Sequence, residues 1–271
     1  MIPKILHYCW FGQAPLPPLA EQCIASWKAH MPEWEMKAWT EASLSQALSP
    51  LKGGEGCWLD YMPLYVKQAY EARKFAFVSD YVRLWALEQY GGLYMDVDFM
   101  VFRPFDDLMD KYPAFAGYEG SKRKPVMQGV IASEPHGAWV RDMLGTYNDR
   151  TFIKEDGSLD MTPNTSYFSD RLEAQGFVAD GVEKDFYFKS ILNFKFQISN
   201  LEEPTFFLHV FPVHYFCPML TTGEDVRTEE TYCEHKGESS WAQQTWKGRL
   251  MRMLSPEMRT RLIKLKRSLL G

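Results

Sequence analysis

Asp96 and Asp98 stand two residues apart, directly after the apolar run Leu93-Tyr94-Met95. Paired carboxylates offer hard oxygen donors of the kind that hold magnesium or manganese together with substrate phosphates. The apolar run reads as a strand leaving the core, and the carboxyl ends of strands are where α/β sheets bind ligands. The two acids are expected to meet one cation where the strand ends between them and the chain bends. From the motif alone, two acids in a solvated loop would look the same. Upstream, Asp80 and Arg83 are spaced i, i+3, which puts them on one face of a helix. They sit among Phe77, Val78, Val82, Leu84, Trp85 and Leu87. This is either a surface ion pair or a pair aimed into a cleft, with Asp80 accepting ligand hydroxyls and Arg83 fixed beside it or on a phosphate.

The elements that must position these residues alternate. Ile2 to Trp10 reads as a strand ending at the Phe11-Gly12 turn, and a helix runs from Pro17-Pro18 to about His30. Pro32 stops it, and Glu33 to Trp39 shows the period-2 pattern of a half-buried strand. Leu51 to Met62, with three glycines, is read as a loop. A helix from Phe75 to Tyr90 ends at the Gly91-Gly92 pair, and Leu93 to Asp98 restarts as a strand, continued by Met100 to Phe102. Ala114 to Tyr118, Val126 to Ser133 and Thr205 to Phe216 read as strands, Ala138 to Tyr147 as a helix; Thr151 to Asn193 is polar and weakly patterned. Strand, helix, strand with short joints is the grammar of an α/β fold.

The 271 residues are 46% hydrophobic and 24% charged, an ordinary globular composition that excludes disorder, collagen and coiled coil. Five scattered cysteines with no CxxC argue against a disulfide framework or zinc ribbon and for a reducing compartment. No basic leader precedes an apolar run, and no apolar stretch is long enough to span a membrane. The net charge of −5 argues against nucleic-acid binding, but it hides a split. Residues 246–271 carry eight Lys and Arg against one acid, a charge of +7, which leaves −12 on the other 245 residues.

Three segments, IPKILHYCWFG, SDYVRLWALEQYGGLYMDVD and EHKGESSW, resemble the DXD-containing sugar transferases of glycosyltransferase family 32, over about residues 2 to 241. That family holds bacterial capsular and lipopolysaccharide enzymes and fungal mannosyltransferases. The resemblance implies a GT-A type α/β fold, a Rossmann-like nucleotide-binding sheet flanked by helices, here over residues 1–245. It implies that Asp96 and Asp98 hold a divalent cation, manganese or magnesium, against the diphosphate of a nucleotide sugar. Trp10 matches the aromatic that stacks on the base, and Asp80 and Arg83 match the pair that holds the donor sugar. His235 would be a third metal ligand, with Ser239, Ser240 and Trp241 near the phosphates; Lys236 departs from the related toxins, which place an acidic ligand there. Gln128 resembles a position on the acceptor side. His7, His209 and His214 flank apolar runs and are read as satisfied core residues.

The implied reaction is sugar transfer with retention, from a UDP-sugar by analogy and with GDP open, to a saccharide or lipid-linked saccharide in cell-surface polysaccharide synthesis. No carboxylate stands out as a covalent nucleophile, and a front-face substitution needs none. In residues 246–271, Ser255-Pro256-Glu257 is a helix start, and Met258, Leu262, Leu265 and Leu269 share one face of a basic amphipathic helix. Such a tail suits an anionic membrane surface or the acidic body; the expected location is the cytoplasm, with the inner face of the cytoplasmic membrane as the surface the tail would meet in the first case. Two rival classes stand beside the transferase. A two-metal nuclease would want a basic groove, and a carbohydrate-binding module would not need the acidic pair.

Overall fold

The structure, a computed structural model, describes residues 1–48, 57–120, 126–189, 205–220 and 222–237. In chain order the elements are β1 (Ile5–Cys9), α1 (Pro18–His30), β2 (Glu35–Trp39), α2 (Glu41–Leu48), a 3-10 turn (Trp58–Tyr61), α3 (Leu64–Glu71) and α4 (Phe75–Tyr90). Then come β3 (Gly92–Met95), β4 (Phe99–Val101), α5 (Asp106–Lys111), β5 (Ala114–Gly117), β6 (Val130–Ser133) and α6 (Ala138–Gly145). The rest are α7 (Asn164–Ala174), β7 (Lys184–Lys189), β8 (Thr205–Phe211), α8 (Val213–Phe216) and β9 (Cys233–His235). The fold is mixed α/β, a central sheet with helices on both faces.

Seven strands form the sheet in the order β2-β1-β3-β6-β5-β8-β7, and β4 pairs with β9 outside it. β1 runs parallel to β2 and β3, and β5 parallel to β8. β6 runs antiparallel to both β3 and β5, so those two are parallel to each other. The carboxyl ends of β1, β3 and β5 and the entrance of β6 therefore open on one edge of the sheet.

Alternation along the strands fills both faces. Tyr94, Ile131, Ala116 and Leu208 pack with Val78, Val82 and Leu87 of α4 and Trp139 of α6. Leu93, Met95, Val130 and Phe115 pack oppositely with Trp27 of α1, Phe105 and Phe216. Among the described residues, no helix is long and apolar enough to cross a membrane.

Three expected boundaries move. The strand expected to reach Asp98 ends at Met95, before both acids, and Val97 and Asp98 form a turn. Residues two apart on a strand share a face, so it is this bend that sends the acids to different partners. The strand expected from Val126 begins at Val130; Val126 makes an isolated bridge with Tyr118, and Gln128-Gly129 bends between them. The run expected to stay β to Phe216 stops at Phe211, because Pro212 has no N–H for a ladder; it caps α8 instead. Residues 57–62 of the expected loop hold a 3-10 turn with Trp58 buried, and its earlier part lies outside the described residues.

The joint after β1 is built on Gly12, which has φ +91 and would place a Cβ 2.3 Å from the Phe75 ring. Its N–H donates to Glu41 Oε1 at 2.8 Å, an oxygen that also accepts from the Tyr70 hydroxyl at 3.1 Å. This presses the Trp10–Gly12 lip onto the start of α4. Gly12→Ala should destabilise the protein by about 1–3 kcal/mol through overpacking and left-handed strain, seen as a lower urea midpoint at unchanged slope. An unchanged midpoint would mean that the lip yields freely.

Candidate active site

Arg83 is 6% exposed and sits at the centre of a charge cluster on this edge. Its guanidinium lies 2.9 Å from Asp80 Oδ1 and 3.4 Å from Asp96 Oδ1, and donates to the Gln128 carbonyl at 2.7 Å and the Ser79 carbonyl at 3.3 Å. The Tyr94 ring lies 4.7 Å beneath it, and the Tyr94 hydroxyl donates to Asp96 Oδ1 at 2.7 Å. Burial alone would lower the affinity of Arg83 for its proton, but Asp96, Tyr94 and Asp80 raise it, so the cation persists. Burial raises the Asp80 carboxyl to about 6 against the pull of Arg83, and raises Asp96 as well.

The chain turns at Asp96 under three backbone restraints. Its N–H donates to the Gly129 carbonyl at 2.8 Å, the Phe99 carbonyl accepts from the Trp27 indole at 2.7 Å, and the Asp98 carbonyl accepts from the Lys236 N–H at 2.9 Å. β4 then pairs with β9 in a register that sets Phe99 opposite His235. The imidazole stacks on the Phe99 ring at 4.6 Å and 6°, and its Nε2 lies 3.2 Å from Asp98 Oδ2. Burial would lower the His235 pKa, but the hydrogen bond and charge of Asp98, with Glu119, raise it to about 9.

Glu119, absent from the sequence reading, lies 3.7 Å from the other imidazole nitrogen. Burial raises its carboxyl, opposed by His235. The signal was present: Glu119 follows Ala114–Gly117 as Asp96 follows Leu93-Tyr94-Met95, an acid just past a buried strand. Because β3 and β5 are parallel, both acids emerge on the same edge.

The structure thus brings Asp80, Arg83, Asp96, Asp98, His235 and Gln128 to one edge. Gln128 is 1% exposed; its side-chain oxygen accepts from Asn164 of α7, and its Nε2 has no partner among the described residues. Trp10 is half-buried at the end of β1 on this same edge, its indole N–H on the Ala14 carbonyl at 2.6 Å. Ser239, Ser240, Trp241 and residues 246–271 lie outside the described residues. Lys236 turns to the other face of β9, its ammonium 2.7 Å from Glu234. His7 is buried between the Gly91 carbonyl and the Trp39 indole, at 2.8 and 3.1 Å, and burial lowers its pKa to about 4. His209 is buried between Asp185 and Glu183, whereas His214, expected in the core, is half-buried beside Glu230.

Carboxylates on either side of a bend with one imidazole nearby are donors that suit manganese or magnesium. Gly129 keeps room beside them, since a Cβ there would stand 3.0 Å from Asp96 Oδ2 and 2.8 Å from the Phe99 ring. Among the described residues, no three His, Cys, Asp or Glu side chains converge on one point; Asp96 faces Arg83 and Asp98 faces His235. In type, two carboxylates and an imidazole, the donors fit a divalent cation, although in this structure they are divided between two ion pairs.

Residues 17–115 match the family model described as "Glycosyltransferase sugar-binding region containing DXD motif". The resemblance read from the sequence stands for this stretch, which holds Asp80, Arg83, Asp96 and Asp98. The glucan organizing enzyme 1 of Cryptococcus neoformans is 34% identical over 83 residues, 28% of this chain and 22% of its own. The inositol phosphoceramide mannosyltransferase 1 of Schizosaccharomyces pombe is 26% identical over 113 residues, 41% of this chain and 32% of its own. This chain therefore spans well under half the length of those curated relatives. A solved structure described as "PaToxG Glycosyltransferase" superposes with a TM-score of 0.44 at 17% identity, over 64% of this chain and 69% of that one.

Asp80 gives the cluster a pH signature. Between its usual 3.8 and about 6, the folded protein keeps a proton that the unfolded chain has released, so this group makes stability fall as pH rises through that window. Urea midpoints of wild type and Asp80→Asn should shift in the variant's favour between pH 4 and 6 and run parallel above it. A pH-independent difference would show that burial does not perturb Asp80.

Proposed function

We propose that this protein is a metal-dependent, retaining glycosyltransferase of GT-A type that moves a sugar from a nucleotide sugar to a saccharide acceptor. The observation that carries the reading is the Asp80–Arg83–Asp96 cluster, with Asp98 and His235 beside it, on the edge where β1, β3 and β5 end. Asp96, Asp98 and His235 would hold one divalent cation, manganese or magnesium. When bound, that ion supplies positive charge where a diphosphate leaving group develops negative charge. Arg83 adds a fixed cation, and Asp80 accepts donor-sugar hydroxyls and orients the ring. Trp10 offers a flat face for the base, with Ser239, Ser240 and Trp241 toward the phosphates. The acceptor hydroxyl attacks the anomeric carbon on the face from which the diphosphate leaves. The bond from that carbon to the phosphate oxygen breaks, a new carbon–oxygen bond forms, and the hydroxyl proton passes to the departing phosphate. Gln128 faces the acceptor, and residues 51–62 and 151–193 set its identity.

UDP is the proposed nucleotide. A GDP-mannose donor is the second reading, favoured by the likeness of residues in this chain to a protein named as a mannosyltransferase. The decisive experiment is calorimetric titration of UDP and GDP, with and without manganese, into wild type and Asp98→Asn. Manganese-dependent binding of one nucleotide, lost in the variant while its melting curve is kept, is the expected result, with turnover reduced at least on the order of 10²-fold. Binding of neither nucleotide under any metal would return the protein to the carbohydrate-binding class.

The tail 246–271 fits an anionic cytoplasmic membrane surface, where each basic residue contributes about 1 kcal/mol. It would put the enzyme beside a lipid-linked acceptor in capsular or lipopolysaccharide synthesis. Liposomes with anionic lipid should retain the protein at low salt and release it at high salt. No retention at low salt would remove the membrane from this reading.

A further inference from the structure

We infer that Glu119 is a positioning residue that acts through His235, holding the imidazole so that its Nε2 faces the metal side of the site. The inference rests on the metal-dependent reading above and assigns a role to a residue outside the match to the sugar-binding region, which ends at 115.

The imidazole is bounded on every side that matters. Its plane is set by stacking on Phe99, at 4.6 Å and 6°. Its Nε2 edge faces Asp98 at 3.2 Å and its Nδ1 edge faces Glu119 at 3.7 Å. A neutral imidazole presents a lone pair on one nitrogen only if the proton resides on the other. With a divalent cation on the Asp98 side of the ring, a carboxylate beside Nδ1 would favour the remaining proton there and leave the Nε2 lone pair for that ion. Histidines that ligate metals almost always donate the second ring N–H to a partner that fixes both tautomer and ring orientation, and Glu119, at ion-pair distance from Nδ1, is the carboxylate within reach of that role. Glu119 is the acid placed for this: it follows β5, emerges beside Asp96, and lies against the nitrogen remote from Asp98. Asp98 already occupies the Nε2 edge, and Lys236 and Glu234 pair with each other away from the ring.

Three roles are open to a carboxylate here: direct ligand, diffuse negative charge, or hold on His235. A double-mutant cycle with manganese alone as the probe separates them. Affinity is read by calorimetry, and histidine ligation by the nitrogen modulation of the bound manganese in pulsed electron paramagnetic resonance. Glu119→Ala should weaken manganese about 10–100-fold and diminish the nitrogen modulation when His235 is present. In the His235→Ala background the same change should cost little. Glu119→Asp, which keeps the charge but withdraws the carboxylate from a contact already at 3.7 Å, should lose affinity like Glu119→Ala. Equal losses in both backgrounds would make Glu119 a direct ligand, and near wild-type affinity in Glu119→Asp would make it a diffuse charge; either overturns the inference. A wild type that binds no manganese overturns the metal reading itself, and the inference with it, whereas wild-type binding with a flat cycle overturns the inference alone.

Discussion

A guanidinium with only 6% of its surface in water must find its solvation inside the protein, and the architecture around Arg83 follows from that requirement. Removing an ion of this size from water costs several kcal/mol even after relaxation, and only complete, well-directed pairing offsets it. The partners come from three places in the chain: Asp80 and Ser79 on α4, Asp96 just past β3, and the Gln128 carbonyl at the entrance of β6. The buried cation thus ties helix, strand end and neighbouring strand together at one edge. It also holds two carboxylates close together that would otherwise repel each other. Asp98 and His235 repeat the device, an acid with a cation of the protein's own beside it.

What the sequence made legible is what local pattern encodes. The 3.6-residue period from Phe75 to Tyr90 and the Gly91-Gly92 break define α4 and the start of β3 within a residue, because both are buried and pattern and packing agree; the end of β3, expected at Asp98, comes at Met95. α7 escaped notice because its inward face is partly polar: Asn164 and Ser169 are buried to hydrogen-bond Gln128 and the Val126 N–H, so amphipathicity is blurred. β9 is three residues long, and its existence depends on pairing with β4 more than 130 residues earlier, a long-range fact with no local sign.

The site divides along the same line. Asp80, Arg83, Asp96 and Asp98 lie within nineteen residues and read as one motif. Glu119 joins them only through the sheet order, since knowing that β5 is parallel to β3 requires the reversed strand β6 between them. The departure at Lys236 is a matter of face: β9 points His235 at the bend and Lys236 at Glu234. A bend was expected between Asp96 and Asp98; the strand instead ends at Met95, before both, and the turn assigns each acid a separate cation rather than gathering both at one point.

The sheet's two open edges carry a consequence of a different kind. Among the described residues, β2 and β7 each pair on one side only, which leaves a row of backbone donors and acceptors on which a strand could be added. On β2, Glu35 and Lys37 lie 2.6 Å apart along that margin. On β7, Lys184 pairs with Asp180, and Asp185 is spent on His209. An incoming strand would gain backbone hydrogen bonds but would have to strip water from these charges. Charges incidental to the site thus make these margins poorer templates for self-association than bare apolar edges would be.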